Sequence, residues 1–478
     1  MGLLSKAVGG TVAAALVVAG GYAWADIHDL VPGVLTDSPQ QPEPRPFPTI
    51  NVEPAGATTA SLLTALPEDA PTPTQSSVES LIKSLAKSED TIGSRVAVVV
   101  SDPLTGDTIA STRADTAVVG ASVQKLLTAI VALDELGADR TLKTRVVLSG
   151  ESTLYLAGEG DMMLAAESGD VTQVNGHAGL GDLADQVANK LKLAGVDTIT
   201  LKIDDSAFTG SATGPWDNDM ASLGFAAPVS VVAVDVGRKK DGEYAPRYDK
   251  PALAAGEIFA ERLKERGVNV SGNPQLGIYE SDGAALRAEG DNVLGEVTSA
   301  PMAQIVQYFL ATSDNAITEV VGRTIARDRG LPGSFSGATT AVVQGLEKLG
   351  LDTNGVSLVD CSGLGDTSTL TAELINQILM MIVSPEHPEF HVAAFGLPVA
   401  SLNGTLDERF YDRNGRGLVR AKTGSLPGVT SLAGTVVTLD NRMLTFVVIA
   451  DKGHKGGQWG ARKTIDAFVE KLAECGCS

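Results

Sequence analysis

The sequence predicts an α+β fold, an antiparallel sheet flanked by helices, into which a second α+β unit is inserted. Two observations point there. Strand-like runs bracket the folded part of the chain, with amphipathic helices between them and one more after the last. Between Thr144 and Leu294 the texture changes to short strands, turns and two helical stretches, which marks a unit of its own. A chain of 478 residues has room for such a division, since domains run to roughly 100–200 residues each.

The first 25 residues carry one early Lys6 and then no charge from Ala7 to Ala25, ending in Ala23-Trp24-Ala25 before Asp26. This reads either as an export signal with an Ala-x-Ala cleavage site or as an uncleaved membrane anchor. Both place the body of the protein outside the cytoplasm. Residues 26–76 hold the Pro-, Thr- and Ser-rich stretch "TDSPQQPEPRPFPTINVEPAG", which cannot bury enough apolar surface to order itself and reads as a linker. Residues 77–143 open the main domain with a helix from about Ser77, strands at "SRVAVVVSD" and "DTIAST", and the apolar helix after "GASVQK". Residues 144–294 form the inserted unit, with strands in "LYLAGEGDMML", "TITLKIDDSAF" and "SVVAVDVGR" and helices at "LGDLADQVANKLKLAG" and "PALAAGEIFAERLKERG". Residues 295–478 complete the main domain: two helices broken near Ser313, two more at "GATTAVVQGLEKLG" and "TAELINQILMMIV", three strands, and a last helix at "GARKTIDAFVEKLAE".

With 37 basic and 58 acidic side chains the formal charge is −21, which argues against nucleic acid or anionic lipid as the main partner. Cys361, Cys475 and Cys477 allow at most one disulfide and leave one odd thiol. His387 and His391 are close, but Pro388 between them argues against one helical face presenting both, so no zinc site is expected. There is no Gly-x-Ser-x-Gly elbow and no phosphate-binding G-x-x-x-x-G-K-[ST] loop. No cofactor or metal is expected.

Ser-x-x-Lys occurs at Ser80–Lys83, Ser84–Lys87 and Ser122–Lys125, so the spacing alone decides nothing. Context separates the copies. The first two lie in "SSVESLIKSLAKSED", the pattern of a solvated amphipathic helix. Ser122 follows the short β-like run "TAVVG" and starts a mostly apolar helix, where the helix N-terminus favours developing negative charge and a residue three positions on shares the face. Ser-x-Asn also occurs three times. Ser271-Gly272-Asn273 and Ser401-Leu402-Asn403 read as turns, whereas Ser313-Asp314-Asn315 interrupts a helical region, where it serves either as a helix cap or to aim side chains into a cleft. Lys422-Thr423-Gly424 occurs once, on a predicted strand.

These three motifs in this order, with "LAGEGDMML", "IDDSAFTGSATGPW", "PVSVVAVDVGR", "LVDCSGLG", "LPVASLNGTLDERF" and "VRAKTGSLPGVTSLAG", resemble the penicillin-binding D-alanyl-D-alanine carboxypeptidase/endopeptidase family (peptidase S13-like, low-molecular-mass class C) over about Val78 to Leu472. The resemblance implies the serine β-lactamase/penicillin-binding-protein-like transpeptidase fold with an inserted accessory domain. It implies Ser122 as nucleophile, Lys125 as its base, Lys422 as a second cation that lowers the Lys125 pKa, Ser313 as proton relay, Asn315 as holder of the substrate amide, and Thr423, Gly424 and Ser425 along the substrate, with Lys422, Thr423 and Ser425 binding its terminal carboxylate. The backbone N–H groups of Ser122 and Ser425 supply the oxyanion hole in this scheme. Peptidoglycan stem peptides are the implied substrates and β-lactams the implied covalent inhibitors. Two positions depart from the family pattern: Cys361 stands where Gly is usual in Asp-Gly-Ser-Gly-Leu, and Met162 stands where Pro is usual. The short span from Lys125 to Ser313 implies a single accessory domain. Two alternatives stay beside this reading. A serine β-lactamase needs a base for deacylation, and the Glu373–Asn376 pair weighed for it falls in a plain amphipathic helix. A silent wall-binding scaffold calls for a broken motif, and none is broken.

Overall fold

The computed structural model describes residues 67–474 apart from 68, 282 and 455. The expected leader and most of the linker, with Cys475 and Cys477, lie outside these residues. Among the described residues no helix is long and apolar enough to cross a membrane.

Helix α1 (Gln75–Ala86) starts two residues earlier than the expected Ser77, because the Thr74 side chain accepts the Ser77 N–H and caps it. Its Val78, Ile82 and Leu85 are buried at helical spacing, while Ser80 and Ser84 face water. Strands β1 (Val96–Ser101) and β2 (Thr108–Thr112) follow, as expected. Near the C-terminus come β11 (Val419–Leu426), β12 (Val429–Val437) and β13 (Met443–Ala450). These strands make one antiparallel sheet in the order β11-β12-β13-β1-β2, so the start of the folded chain pairs directly with its end.

Strand β1 reads Val-Ala-Val-Val-Val because both of its faces are covered. Val96, Val98 and Val100 pack with α1 and with Ile465, Phe468 and Val469 of the last helix (Gln458–Glu474). Ala97 and Val99 face the opposite core, built on helix α2 (Lys125–Glu135) and on Ala372–Val383. Alternate residues of one strand thus serve two cores.

A second sheet is built between Lys143 and Thr298. Its strands β3 (Lys143–Ser149), β4 (Thr153–Gly158), β6 (Thr198–Asp204), β8 (Asn269–Val270) and β10 (Val293–Thr298) run in the order β10-β3-β4-β6-β8. The β4–β6 and β6–β8 pairs are parallel, the short β9 (Gln275–Leu276) also runs parallel to β6, and β7 (Val232–Val234) lies in a separate two-stranded sheet. Parallel neighbours need crossovers, and the helices α3 (Leu180–Leu193) and α4 (Pro251–Glu265) supply them. The expected run "LYLAGEGDMML" breaks between β4 and β5 (Asp161–Leu164), where Gly160 has φ +122° and a Cβ would meet Val320 at 2.7 Å. Leu183, Val187, Phe259 and Leu263 of these helices join the same core as Leu127 and Ile130 of α2.

Candidate active site

Ser122 lies on a single 3-10 turn, Ala121–Gln124, that runs into α2. The "TAVVG" run before it forms only an isolated bridge, Val118 to Leu370, in place of a strand. Ala121 holds φ +50°, a strained value that turns the chain sharply just ahead of the serine. Because α2 is apolar and enclosed by other helices, Lys125 at its head is wholly buried. Its Nζ donates to Ser122 Oγ at 3.0 Å, Asn315 Oδ1 at 2.6 Å and the Ser362 carbonyl at 2.8 Å. Burial lowers the Lys125 pKa to about 8, although Asp360, Glu319 and Asp314 pull the other way.

The Ser313 break follows from local chemistry. Helix α5 (Met302–Thr312) ends at Ser313 in the left-handed conformation, φ 59°, and α6 (Asn315–Asp328) begins two residues on. The cap of α6 is Asp314, whose Oδ1 accepts the Ile317 N–H. With that task taken, the side chains on either side turn into the cleft. Ser313 Oγ accepts from Lys422 Nζ at 2.9 Å, and Asn315 Nδ2 donates to the Phe225 carbonyl at 2.8 Å.

Lys422 is wholly buried on β11, and its Nζ also donates to the Thr423 carbonyl. Burial first, then the charge of Lys125, pushes its pKa well below the ordinary lysine value. Gly424 allows β11 to touch the Ser122 turn: a Cβ there would overlap Ser431 Oγ and stand 2.7 Å from Gly120 O and 3.1 Å from Ser122 N. Strand β11 is the edge of its sheet. The Ala421 N–H turns outward to Pro398 O, so by antiparallel alternation the N–H groups of Thr423 and Ser425 also point outward. The Thr423 and Ser425 side chains share the open face, Thr423 Oγ1 donating to Thr405 Oγ1 and Ser425 Oγ accepting from Arg462 Nη2 at 3.3 Å.

All three motifs meet here; the other copies do not. Ser401 and Asn403 sit in a turn where Asn403 Oδ1 accepts the Val399 N–H, and Ser271-Gly272 turns through a left-handed glycine. Asn376 is buried between Ser101 and Thr445, a structural role. Both departures from the family pattern have structural explanations. Cys361, a buried free thiol, packs where a Cβ on Gly322 would overlap its sulfur, and Met162 Sδ accepts the Ser230 N–H. Sequence reasoning missed Phe225, Arg462, and the contacts of Glu319 and Asp360 with the turn behind Lys125. The one local signal was a glutamate set among the apolar residues Ala316, Ile317, Val320 and Val321 of α6.

The chain matches the model of the D-Ala-D-Ala carboxypeptidase 3 (S13) family over residues 78–242 and 239–473. It is 33% identical over 449 residues to a carboxypeptidase of Mycobacterium tuberculosis, covering 91% of this chain and 90% of that one. It is 28% identical over 445 residues to a D-alanyl-D-alanine carboxypeptidase of an Actinomadura species, covering 79% and 81%. Among solved structures, penicillin binding protein 4 of Haemophilus influenzae superposes with a TM-score of 0.66 at 20% identity, covering 82% of this chain and 99% of that one. A second structure of that protein, complexed with a β-lactam, gives 0.62 at 20% identity, covering 83% and 98%. These two structures share the fold.

Proposed function

The chain belongs to the D-Ala-D-Ala carboxypeptidase S13 family and is a serine-type hydrolase of that specificity; from this premise we propose how its residues divide the work. The observation that carries the reading is Lys125 Nζ, dry and bonded to both Ser122 Oγ and Asn315 Oδ1. Neutral Lys125 takes the Ser122 proton as Oγ adds to the carbonyl of the penultimate D-alanine of a peptidoglycan stem peptide. Its lowered pKa makes the neutral form available near pH 8. The oxyanion lies between the N–H groups of Ser122 and Ser425, each such donor being worth about 2.7–4 kcal/mol. The Ser313 hydroxyl, bonded to Lys422, relays to the leaving nitrogen the proton that Lys125 took, which returns Lys125 to its neutral form as D-alanine departs. Water then hydrolyses the ester, with Lys125 again as base.

The extended substrate pairs with the outward edge of β11, and Asn315 holds its amide. Lys422, expected to bind the terminal carboxylate, is enclosed, and among the described residues Arg462 is the cation that meets the Thr423–Ser425 face in its place. β-Lactams enter by the same route and acylate Ser122. Residues 144–294 are taken as one accessory domain, supported by a sheet confined to Lys143–Thr298, and Phe225 brings that domain to the site. Residues 1–25 carry the chain across the membrane, as a cleaved signal or as an anchor, and 26–76 tether it.

The test is digestion of purified muropeptides followed by mass analysis. Loss of one D-alanine from pentapeptide stems supports carboxypeptidase action on these substrates. Opening of cross-linked dimers reassigns it to endopeptidase action, and unchanged muropeptides overturn the reading.

A further inference from the structure

Behind Lys125 lies a layer that the mechanism above does not use. Residues 360–363 form a turn between α2 and α6, and successive peptide groups of it are held from both sides. On one side the carbonyls of Asp360, Cys361 and Ser362 accept from Gln124 Nε2 at 2.6 Å, Thr128 Oγ1 at 2.9 Å and Lys125 Nζ at 2.8 Å, all on the nucleophile helix or its leading turn. On the other side the N–H groups of Cys361 and Ser362 donate to Glu319 Oε1 at 3.0 and 2.8 Å, and Gly363 N donates to Asp360 Oδ1 at 3.0 Å. Gln124, Lys125, Thr128, Glu319, Asp360 and Ser362 are all buried. Asp360 thus polarises the very peptide unit whose carbonyl faces Lys125, and Glu319 fixes the two units before it. A buried carboxyl group is expensive unless bonded, and the Cys361 and Ser362 N–H groups supply those bonds here.

Resting on the assignment of Lys125 as base, we propose that Glu319 is a positioning residue for acylation: through the 360–363 turn it aims the Ser362 carbonyl at Lys125, and together with Asp360 it sets the charge that Lys125 faces. Burial, with Asp360 next to it, raises the Glu319 pKa to about 8, the range to which Lys125 falls. The charged forms of the two groups favour one another, so the ionised fraction of Glu319 holds Lys125 in its protonated, inactive form. Arg323, farther along α6, and the Cys361 thiol also face Glu319. Asp314 faces Lys125 from the head of α6, and Lys422 faces it from β11.

The experiment measures the second-order rate of acylation by a fluorescent penicillin from pH 5.5 to 9.5. Glu319→Gln keeps an oxygen for both N–H groups and can never be charged. Its acid limb is expected to move to lower pH by about half to one unit, a roughly three- to tenfold larger neutral fraction of Lys125 on that limb. Glu319→Asp keeps the charge but retreats from the turn, so its rate falls at every pH while its limb stays in place. An unmoved limb in Glu319→Gln reduces the residue to scaffold and overturns the proposal. If that variant lacks a cooperative unfolding transition, the same limb is read in Asp360→Asn, where a downward move is expected and an unmoved limb is equally decisive. Absence of any adduct on Ser122 in the parent protein is a different result, because it removes the assignment of Lys125 itself.

Discussion

The two halves of the cleft are built on opposite terms. Lys125, Lys422, Glu319 and Asp360 are each 0% exposed, and Lys125 is saturated with fixed partners. Across Gly424, Ser425 is exposed, Thr423 and Arg462 are half-buried, and Phe225 shows 43% of its surface. The dry half holds pKa values and distances against water, which suits bond making. The open half leaves N–H groups, hydroxyls and a guanidinium for a ligand to claim. Changes in the dry half are therefore expected to act on rate and pH, and changes in the open half on substrate choice.

The largest effect that divides the halves is at Ser122 and Lys125. Ser122→Ala is expected to abolish labelling by a fluorescent penicillin, and Lys125→Ala to slow it by roughly 10²–10⁴-fold, while Ser80→Ala labels as the parent does. Labelling of Ser122→Ala at the parent rate breaks the comparison outright. Next comes the seam. Gly424→Val pushes β11 away from Gly120 O and Ser122 N, and an ångström of misplacement is expected to cost about 10²-fold in acylation rate with the unfolding transition still cooperative. Smaller again is the open half: Arg462→Ala is expected to raise KM about tenfold for substrates with a free terminal carboxylate and to leave kcat nearly unchanged. An amide-capped analogue is the control, and equal losses on both remove Arg462 from carboxylate binding.

The smallest effect isolates burial from chemistry. Asp161 is buried, its Oδ1 accepts the Met163 N–H, and burial raises its pKa from 3.8 to about 7. The folded chain keeps a proton there that the unfolded chain releases, so stability from this group falls as pH rises from about 4 to 7. Asp161→Asn is expected to match the parent Tm near pH 4 and to exceed it by a few degrees at pH 8, with acylation unchanged. A parallel fall in both proteins contradicts the cause given.

What the sequence showed and what it hid follow the same physical line. Ser122, Lys125, Lys422 and Thr423 were legible because a helix start and a strand fix short spacings locally, and the break at Ser313 was legible because apolar periodicity lapses there. The cap of α6 was less so: Ser313, Asp314 and Asn315 all have capping side chains, and the backbone geometry selects Asp314. Arg462 meets Ser425 across 37 residues and Glu319 meets Cys361 across 42, contacts made by tertiary packing, which carries no periodic signal. The parallel β4–β6 pairing was hidden for a related reason, since a strand's pattern records which faces are buried and not the direction of its neighbour.

The central claim is that Ser122, activated by Lys125, forms the acyl-enzyme; with β-lactams the ester is expected to persist, because the bicyclic remnant stays tethered over the acyl bond and the buried Glu319 carboxyl is spent on the Cys361 and Ser362 N–H groups. Intact-protein mass spectrometry after a brief penicillin pulse, with peptide mapping and a chase of hours in drug-free buffer, tests it directly. A single adduct on the Ser122 peptide that persists through the chase is the predicted result. An adduct that clears within seconds over many turnovers, or one that maps to another residue, contradicts it.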